Sequence, residues 1–514
     1  MNRTKLALMN TISGSSVYAV KMIITFLTRA LFIQKLGIEL LGIQGVFTNI
    51  LSVLSLAELG FGSTLSLVLY KPLAHNDYRT VSSLMKMFRK LYLIVGLIVL
   101  SFGLIILPFL PFLGKEFELT KIGGYYLLFL ANSVVSYFFT YKRTLLNANQ
   151  RGYLTSINDI AFWLLVQIFQ VIALYTTKNY YLFLVIQIIG TILSNLNISN
   201  IVDRQFPKYV DYTDNLTVTT DQIDEVKRNT VGSMSAKLGN VVVTSTDNIL
   251  ISAFVSVSAV GVFSNYSLII TSGVQALLTN LLFGLTPSIG NYIYTKNVVD
   301  VKRLYETITF YGFSLLTFCV PGLLLVTPSF IVMWVGNNLL LPSYVLACLI
   351  ANLCISVNRL VTTSFINAYG LAWYARKRPI LEASANLFIS LVFLKIFNLG
   401  IFGVVLGTLV SSLFIGFWYE LKVLAIYGLK TDFRFLLRIN LGYLIKLSFL
   451  GILSYLIGES IDIFANSLIF EFLIRIILAI IISCMSFLIL SSKKQKEDFL
   501  RKAKKVVGRK KSGI

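Results

Sequence analysis

Apolar runs of helix length, separated by short polar segments, recur along the whole chain. At about 20 apolar residues per membrane span, they predict fourteen transmembrane helices, over 10–34, 40–70, 90–113, 123–142, 154–176, 179–202, 229–254, 258–292, 304–336, 342–370, 379–397, 401–427, 436–457 and 467–491. The longest runs extend past a bilayer or tilt within it. The expected fold is an all-α polytopic membrane protein. Two further stretches repeat their apolar positions at helical spacing among cations: Val81, Leu84, Met85 and Phe88, and Phe499, Leu500, Ala503, Val506 and Val507. Each reads either as a helix lying on an anionic leaflet or as a basic flank of a span.

Composition agrees: 56% of the 514 residues are hydrophobic and 13% charged, against about 25% charged in soluble domains. The 45 Lys and Arg outnumber the 23 Asp and Glu, and their placement orients the chain. With the N-terminus inside, 34 of the cations fall on inner segments and their helix ends, and five (Lys35, Lys115, Lys121, Lys178 and Lys395) on outer ones. This asymmetry predicts that both termini are cytoplasmic. The first apolar run is too long for a cleaved signal and is interrupted by Lys21. The basic tail is explained by the membrane, so no nucleic-acid partner is expected. Cys319, Cys348, Cys354 and Cys484 lie singly in apolar runs and read as core residues. With His75 the sole histidine, His-based metal sites and triads are excluded.

The chain also repeats itself. A shift of 219 places Asn10-Thr11 on Asn229-Thr230 and Leu41-Gly42-Ile43 on Val260-Gly261-Val262; a shift of 220 places Ala131, Asn132, Ser136, Asn147 and Ala148 on Ala351, Asn352, Ser356, Asn367 and Ala368. Two six-helix parallel repeats around a central cavity, with two added helices, account for both offsets. The expected domains are an N-terminal bundle (1–203), a cytoplasmic linker (204–228), a C-terminal bundle (229–428), two appended helices (429–491) and a basic tail (492–514).

Six cations, Lys21, Arg29, Lys237, Arg359, Lys446 and Arg475, fall well inside spans, where each costs about 2.5–3.5 kcal/mol unless it meets a partner or water. Lys21 maps onto position 240, one turn from Lys237, and Arg29 maps beside Asp247, its expected partner. Two readings are open for Lys21, Arg29, Lys237 and Arg359. Either they pair with Glu58, Asp159 and Asp247 and fix helix packing, or they form a cationic cavity for an anionic head group, with those carboxylates serving ion coupling or charge balance. Lys446 and Arg475 are expected to snorkel or to border a lipid-tail groove. Pro108, Pro287, Pro321 and Pro328 are expected kinks and candidate hinges.

The stretch LTRALFIQKLGIELLGIQGVFTNILSVLSLAELGFG (27–62), followed by a loop beginning YKPLAHND, resembles the start of bacterial polysaccharide-repeat-unit flippases of the multidrug/oligosaccharidyl-lipid/polysaccharide exporter (MOP) superfamily; NANQRGYLTSIND (147–159) is similar too. The resemblance implies transfer of undecaprenyl-pyrophosphate-linked oligosaccharides across the bacterial cytoplasmic membrane, with Lys21, Arg29, Lys237 and Arg359 receiving the pyrophosphate. The expected partners are the lipid-linked oligosaccharide, membrane lipids and, as further candidates, other glycan-assembly proteins, the protein itself being a monomer. No cofactor is expected; a coupling ion, H+ or Na+, is left open. The rivals are a cation-coupled multidrug antiporter, whose cavity should be acidic, and a lipid II flippase, which differs only in the glycan. A membrane glycosyltransferase or polymerase needs a catalytic loop, and the outer loops are too short for one, so no enzyme is expected.

Overall fold

A computed structural model describes residues 21–55, 65, 68–70, 72–73, 75–113, 119–149, 151–210, 245–283, 285–461, 467–492 and 495. Every regular element among them is helical. Glu58, Lys237, the tail stretch 499–507 and most of the expected linker lie outside the described residues. The chain divides into two compact units, Met1–Gly261 and Val262–Ile514.

The first unit contains α1 (Lys21–Leu36) and α2 (Ile38–Leu54), related by a 119° bend at one residue. That residue is Gly37, with φ +89°, a conformation that costs a residue with Cβ dearly. Next come α3 (Tyr78–Ile106), α4 (Leu119–Ala148), α5 (Gly152–Thr176), α6 (Tyr180–Gln205) and α7 (245–254). α8 (Val257–Ile293) begins in this unit. α4 packs on α3 and α6, and α5 on α6. The second unit continues α8 and adds α9 (Val298–Val335), α10 (Ser343–Ala368), α11 (Arg378–Lys395), α12 (Gly400–Gly428), α13 (Phe433–Ile461) and α14 (Leu468–Leu490). α9 packs on α10, α13 and α14, and α11 on α12.

Polar residues set the ends that hydropathy only approximates. Asp77 accepts a hydrogen bond from the Thr80 amide at 3.0 Å and opens α3. Asn179, Asn297 and Ser467 open α6, α9 and α14 in the same way, satisfying amides that have no carbonyl one turn earlier. Around the bundles the usual inside-out order is reversed. Ile469, Ile477, Ile480 and Ile489 of α14 are all more than half exposed, while Asn265, Asn386 and Asn440 are fully buried. Among the described residues, ten helices are long and apolar enough to cross a bilayer, besides the α1–α2 pair. This is a multi-pass membrane protein, in which polar side chains face the interior.

The structure departs from the sequence reading in several places. Val81, Leu84, Met85 and Phe88 are fully buried on α3, continuous with its membrane-crossing part. They therefore contact protein and not a leaflet; apolar periodicity is the same for either surface. α9 runs through Pro321 and Pro328 as one helix, and Pro287 occupies the first turn of a helical segment, where its missing amide is harmless. Arg475 is buried, donating to Glu471 at 2.7 Å and to the carbonyls of Leu325 at 3.1 Å and Gly458 at 3.4 Å. Ser329 of α9 donates to the same Glu471 at 2.6 Å. Lys446 donates to the Leu490 carbonyl at 2.8 Å and closes the end of α14. Both cations fasten the appended helices to each other or to α9.

Within the first unit, the opening turns of α2 and α8 cross at glycines. A Cβ on Gly42 would overlap the Val257 carbonyl oxygen, and a Cβ on Gly261 would overlap that of Ile38. The offset of 219 maps Ile38 on Val257 and Gly42 on Gly261. The contact is thus reciprocal, each glycine admitting the residue equivalent to its own partner's neighbour, and duplicated segments meeting across a local two-fold axis produce this pattern.

Candidate functional site

Lys21 and Arg29, two turns apart on α1, reach the same neighbourhood of the first unit. The Lys21 ammonium lies 5.7 Å from the Trp163 ring centroid on α5, within cation–π range. Trp163 and Arg29 both line a cavity of about 350 Å³ formed by α1, α2, α5 and α6. Its wall also carries Thr25, Thr28, Gln44, Thr48, Asn49, Gln167 and Gln170, together with the apolar Phe32, Leu174 and Phe183. Arg29 is the one charged residue among the described lining residues.

Most of these polar groups are oriented by their own helices. Thr25 donates to the Lys21 carbonyl at 2.7 Å, Thr48 to that of Gln44 at 2.7 Å and Asn49 to that of Gly45 at 2.7 Å. Gln170 donates to the Phe183 carbonyl at 3.0 Å and accepts from Gln167 at 3.2 Å. The Gln44 amide, the Gln167 Oε1 and the Trp163 indole N–H remain uncommitted among the described residues, and each threonine hydroxyl keeps its acceptor capacity. Such a wall can hold an anionic, hydroxyl-rich ligand. Its described lining residues include no thiol, imidazole or carboxylate.

The other expected site residues are placed differently. Asp159 accepts from Arg143 of α4 at 2.7 Å, and Arg143 also donates to Asn195 of α6 at 3.1 Å. Asp247 lies half-buried on α7, and both it and Arg29 are engaged in interactions. Arg359 sits in the second unit, forked between Glu382 of α11 (2.6 Å) and Glu420 of α12 (3.1 Å), with Ser412 at 2.6 Å. Arg378 pairs with the same two carboxylates at 2.9 and 3.1 Å, so the cluster of two cations and two anions is neutral. The backbone of α12 widens to a π turn over Ser412–Phe417. A Cβ on Gly416 of that turn would stand 2.5 Å from the Arg359 guanidinium carbon, so the guanidinium lies flat on the helix at a glycine.

Each predicted six-helix repeat thus contains an arginine on or just past its fourth span that ties the fifth and sixth together. The offset of 220 brings Arg359 to position 139, one turn from Arg143, and Glu382 to 162, one turn from Asp159. The cations were visible in the sequence; Trp163, Gln44 and Gln167 were missed. Their signal was a polar stripe in apolar runs, with Trp163, Gln167 and Gln170 at i, i+4 and i+7 and Gln44 and Thr48 at i, i+4.

No family model and no curated protein matches the chain. Solved structures do match in fold. An inward-facing multidrug resistance MATE family transporter of the MOP superfamily superposes with a TM-score of 0.64 and 17% identity, covering 80% of this chain and 95% of its own. The lipid II flippase MurJ, in an inward closed conformation, gives a TM-score of 0.63 and 15% identity over 93% of this chain and 98% of its own. A MOP superfamily transporter from Pyrococcus furiosus, described as having a binding pocket of reverse polarity, gives 0.54 and 16% identity over 84% of this chain and 98% of its own. The chain is a polytopic all-α membrane protein with the fold of MOP superfamily transporters.

Proposed function

We propose that the chain is a flippase that moves undecaprenyl-pyrophosphate-linked oligosaccharide repeat units from the inner to the outer leaflet of the bacterial cytoplasmic membrane by alternating access. The observation that carries this reading is the polar, basic cavity of the first unit, with Arg29 in its wall and Lys21 held against Trp163. Cations within a span are costly and mark substrate or ion pathways. A cationic drug would meet Arg29 and Lys21 unfavourably, which disfavours the multidrug antiporter. Lys237, which the repeat sets near the counterpart of Lys21, is the third proposed pyrophosphate ligand. Arg359, with two carboxylates already on it, is assigned to charge balance. Asp159, Asp247 and Glu58 remain the candidates for coupling to H+ or Na+ or for balancing the empty site.

A lipid II flippase is the second reading, and coverage favours it over the antiporter. The 7% of this chain left unmatched by MurJ, about 36 of 514 residues, is fewer than the 58 residues of 433–490. The fold match therefore includes at least part of 433–490.

The test is export in a glycan-producing cell. Arg29→Ala, Lys21→Ala and Lys237→Ala should each lower surface glycan about tenfold or more, with lipid-linked units accumulating inside and membrane levels of the protein unchanged. Normal export in all single variants and in the Arg29→Ala/Lys21→Ala double removes these cations from the mechanism.

A further inference from the structure

We infer that the cavity of the first unit is a saccharide subsite, in which Trp163 is the stacking face and Gln44 and Gln167 read sugar hydroxyls. The inference rests on the flippase reading and adds to it which part of the substrate this cavity holds.

The lining decides between the parts of an amphiphile. A prenyl tail would leave the Gln44 amide and the Gln167 Oε1 dry and unpaired, a cost at each. A pyrophosphate alone, which only accepts, would use Arg29 and leave the Gln167 Oε1 without a donor. A sugar ring presents donors as well as acceptors, since each hydroxyl donates and accepts. It also presents an apolar C–H face, which an indole bearing an unbonded N–H can cover while bonding at its rim. The cavity, about 350 Å³, lies in the size range of ligand pockets and admits roughly one or two rings.

The lining also predicts how the head group enters. Arg29 lines the same cavity as the amides, so a pyrophosphate at Arg29 places the first sugar attached to it against Gln44 and Trp163. Lys21 on the indole makes that ring a poor seat for a second cation. A site built to hydrogen-bond hydroxyls discriminates strongly against a ligand lacking them. The first sugar would therefore be read, and the distal sugars would not.

The experiment measures binding to the purified full-length protein of two probes, farnesyl pyrophosphate and farnesyl-pyrophosphate-linked N-acetylglucosamine, by calorimetry in detergent. The expected result is that the sugar tightens binding about tenfold in the wild type. In Gln167→Leu and Gln44→Leu, which keep side-chain volume, the gain should shrink to about threefold or less, with farnesyl pyrophosphate affinity unchanged. No gain in the wild type, or an unaltered gain in the two leucine variants, overturns the subsite while leaving the flippase reading in place. If neither probe binds, both fall.

Discussion

Arg359→Leu is expected to destabilise the second unit by about 3–5 kcal/mol, the range for removing one partner of a buried ion pair. The side chains of Arg359, Glu382 and Glu420 are 11%, 9% and 4% exposed, so the carboxylates cannot recover water when the guanidinium is lost. Arg378 would then face two anions alone, leaving a net buried negative charge. Thermal unfolding in detergent reads the loss directly. The cost should fall sharply in Arg359→Leu/Glu420→Leu, which leaves the Arg378–Glu382 pair neutral. Arg359→Lys should rescue only in part, because an ammonium cannot fork between two carboxylates. Unchanged stability in Arg359→Leu combined with lost transport would instead return Arg359 to the substrate path.

The second large effect is expected at the glycine crossing of α2 and α8. A Cβ at Gly42 or Gly261 meets a backbone carbonyl, which no rotamer change can move, so the helices must separate. Gly42→Ala and Gly261→Ala should each cost about 3 kcal/mol, the upper part of the range for overpacking. Because the contact is reciprocal, the two should weaken the protein alike and the double should cost less than their sum. Gly322→Ala is the control: nothing lies within 4 Å of a Cβ there, and a helical Gly→Ala change favours the helix by about 0.5–1 kcal/mol. Thermal unfolding of all four variants checks the ordering; equal stability of Gly42→Ala and Gly322→Ala would contradict the crossing.

Much of this architecture was legible in the chain. Apolar runs are set by bilayer thickness, and polar caps such as Asn179 and Ser467 sharpen their ends. The expected limits 179–202 and 467–491 became Tyr180–Gln205 and Leu468–Leu490. The start of α3 was harder, because Leu84 and Phe88 face protein and periodicity does not name the neighbour. The site was legible only as charge. Lys21 and Arg29 stand out in an apolar helix, whereas Gln44 and Gln167 gain meaning when packing brings α2 and α5 to one cavity. The partners of Arg359 were hidden for the same reason: Glu382 and Glu420 are 23 and 61 residues away, on helices whose facing edges the sequence does not rank.

Direct reconstitution tests the central claim, that the basic cavity serves an anionic lipid-linked glycan. Purified protein in liposomes is given an undecaprenyl-pyrophosphate-linked oligosaccharide on one leaflet, and in parallel vesicles a cationic dye. The account predicts glycan translocation that is lost in Arg29→Ala, with no dye transport above protein-free vesicles. Dye transport without glycan translocation would contradict it.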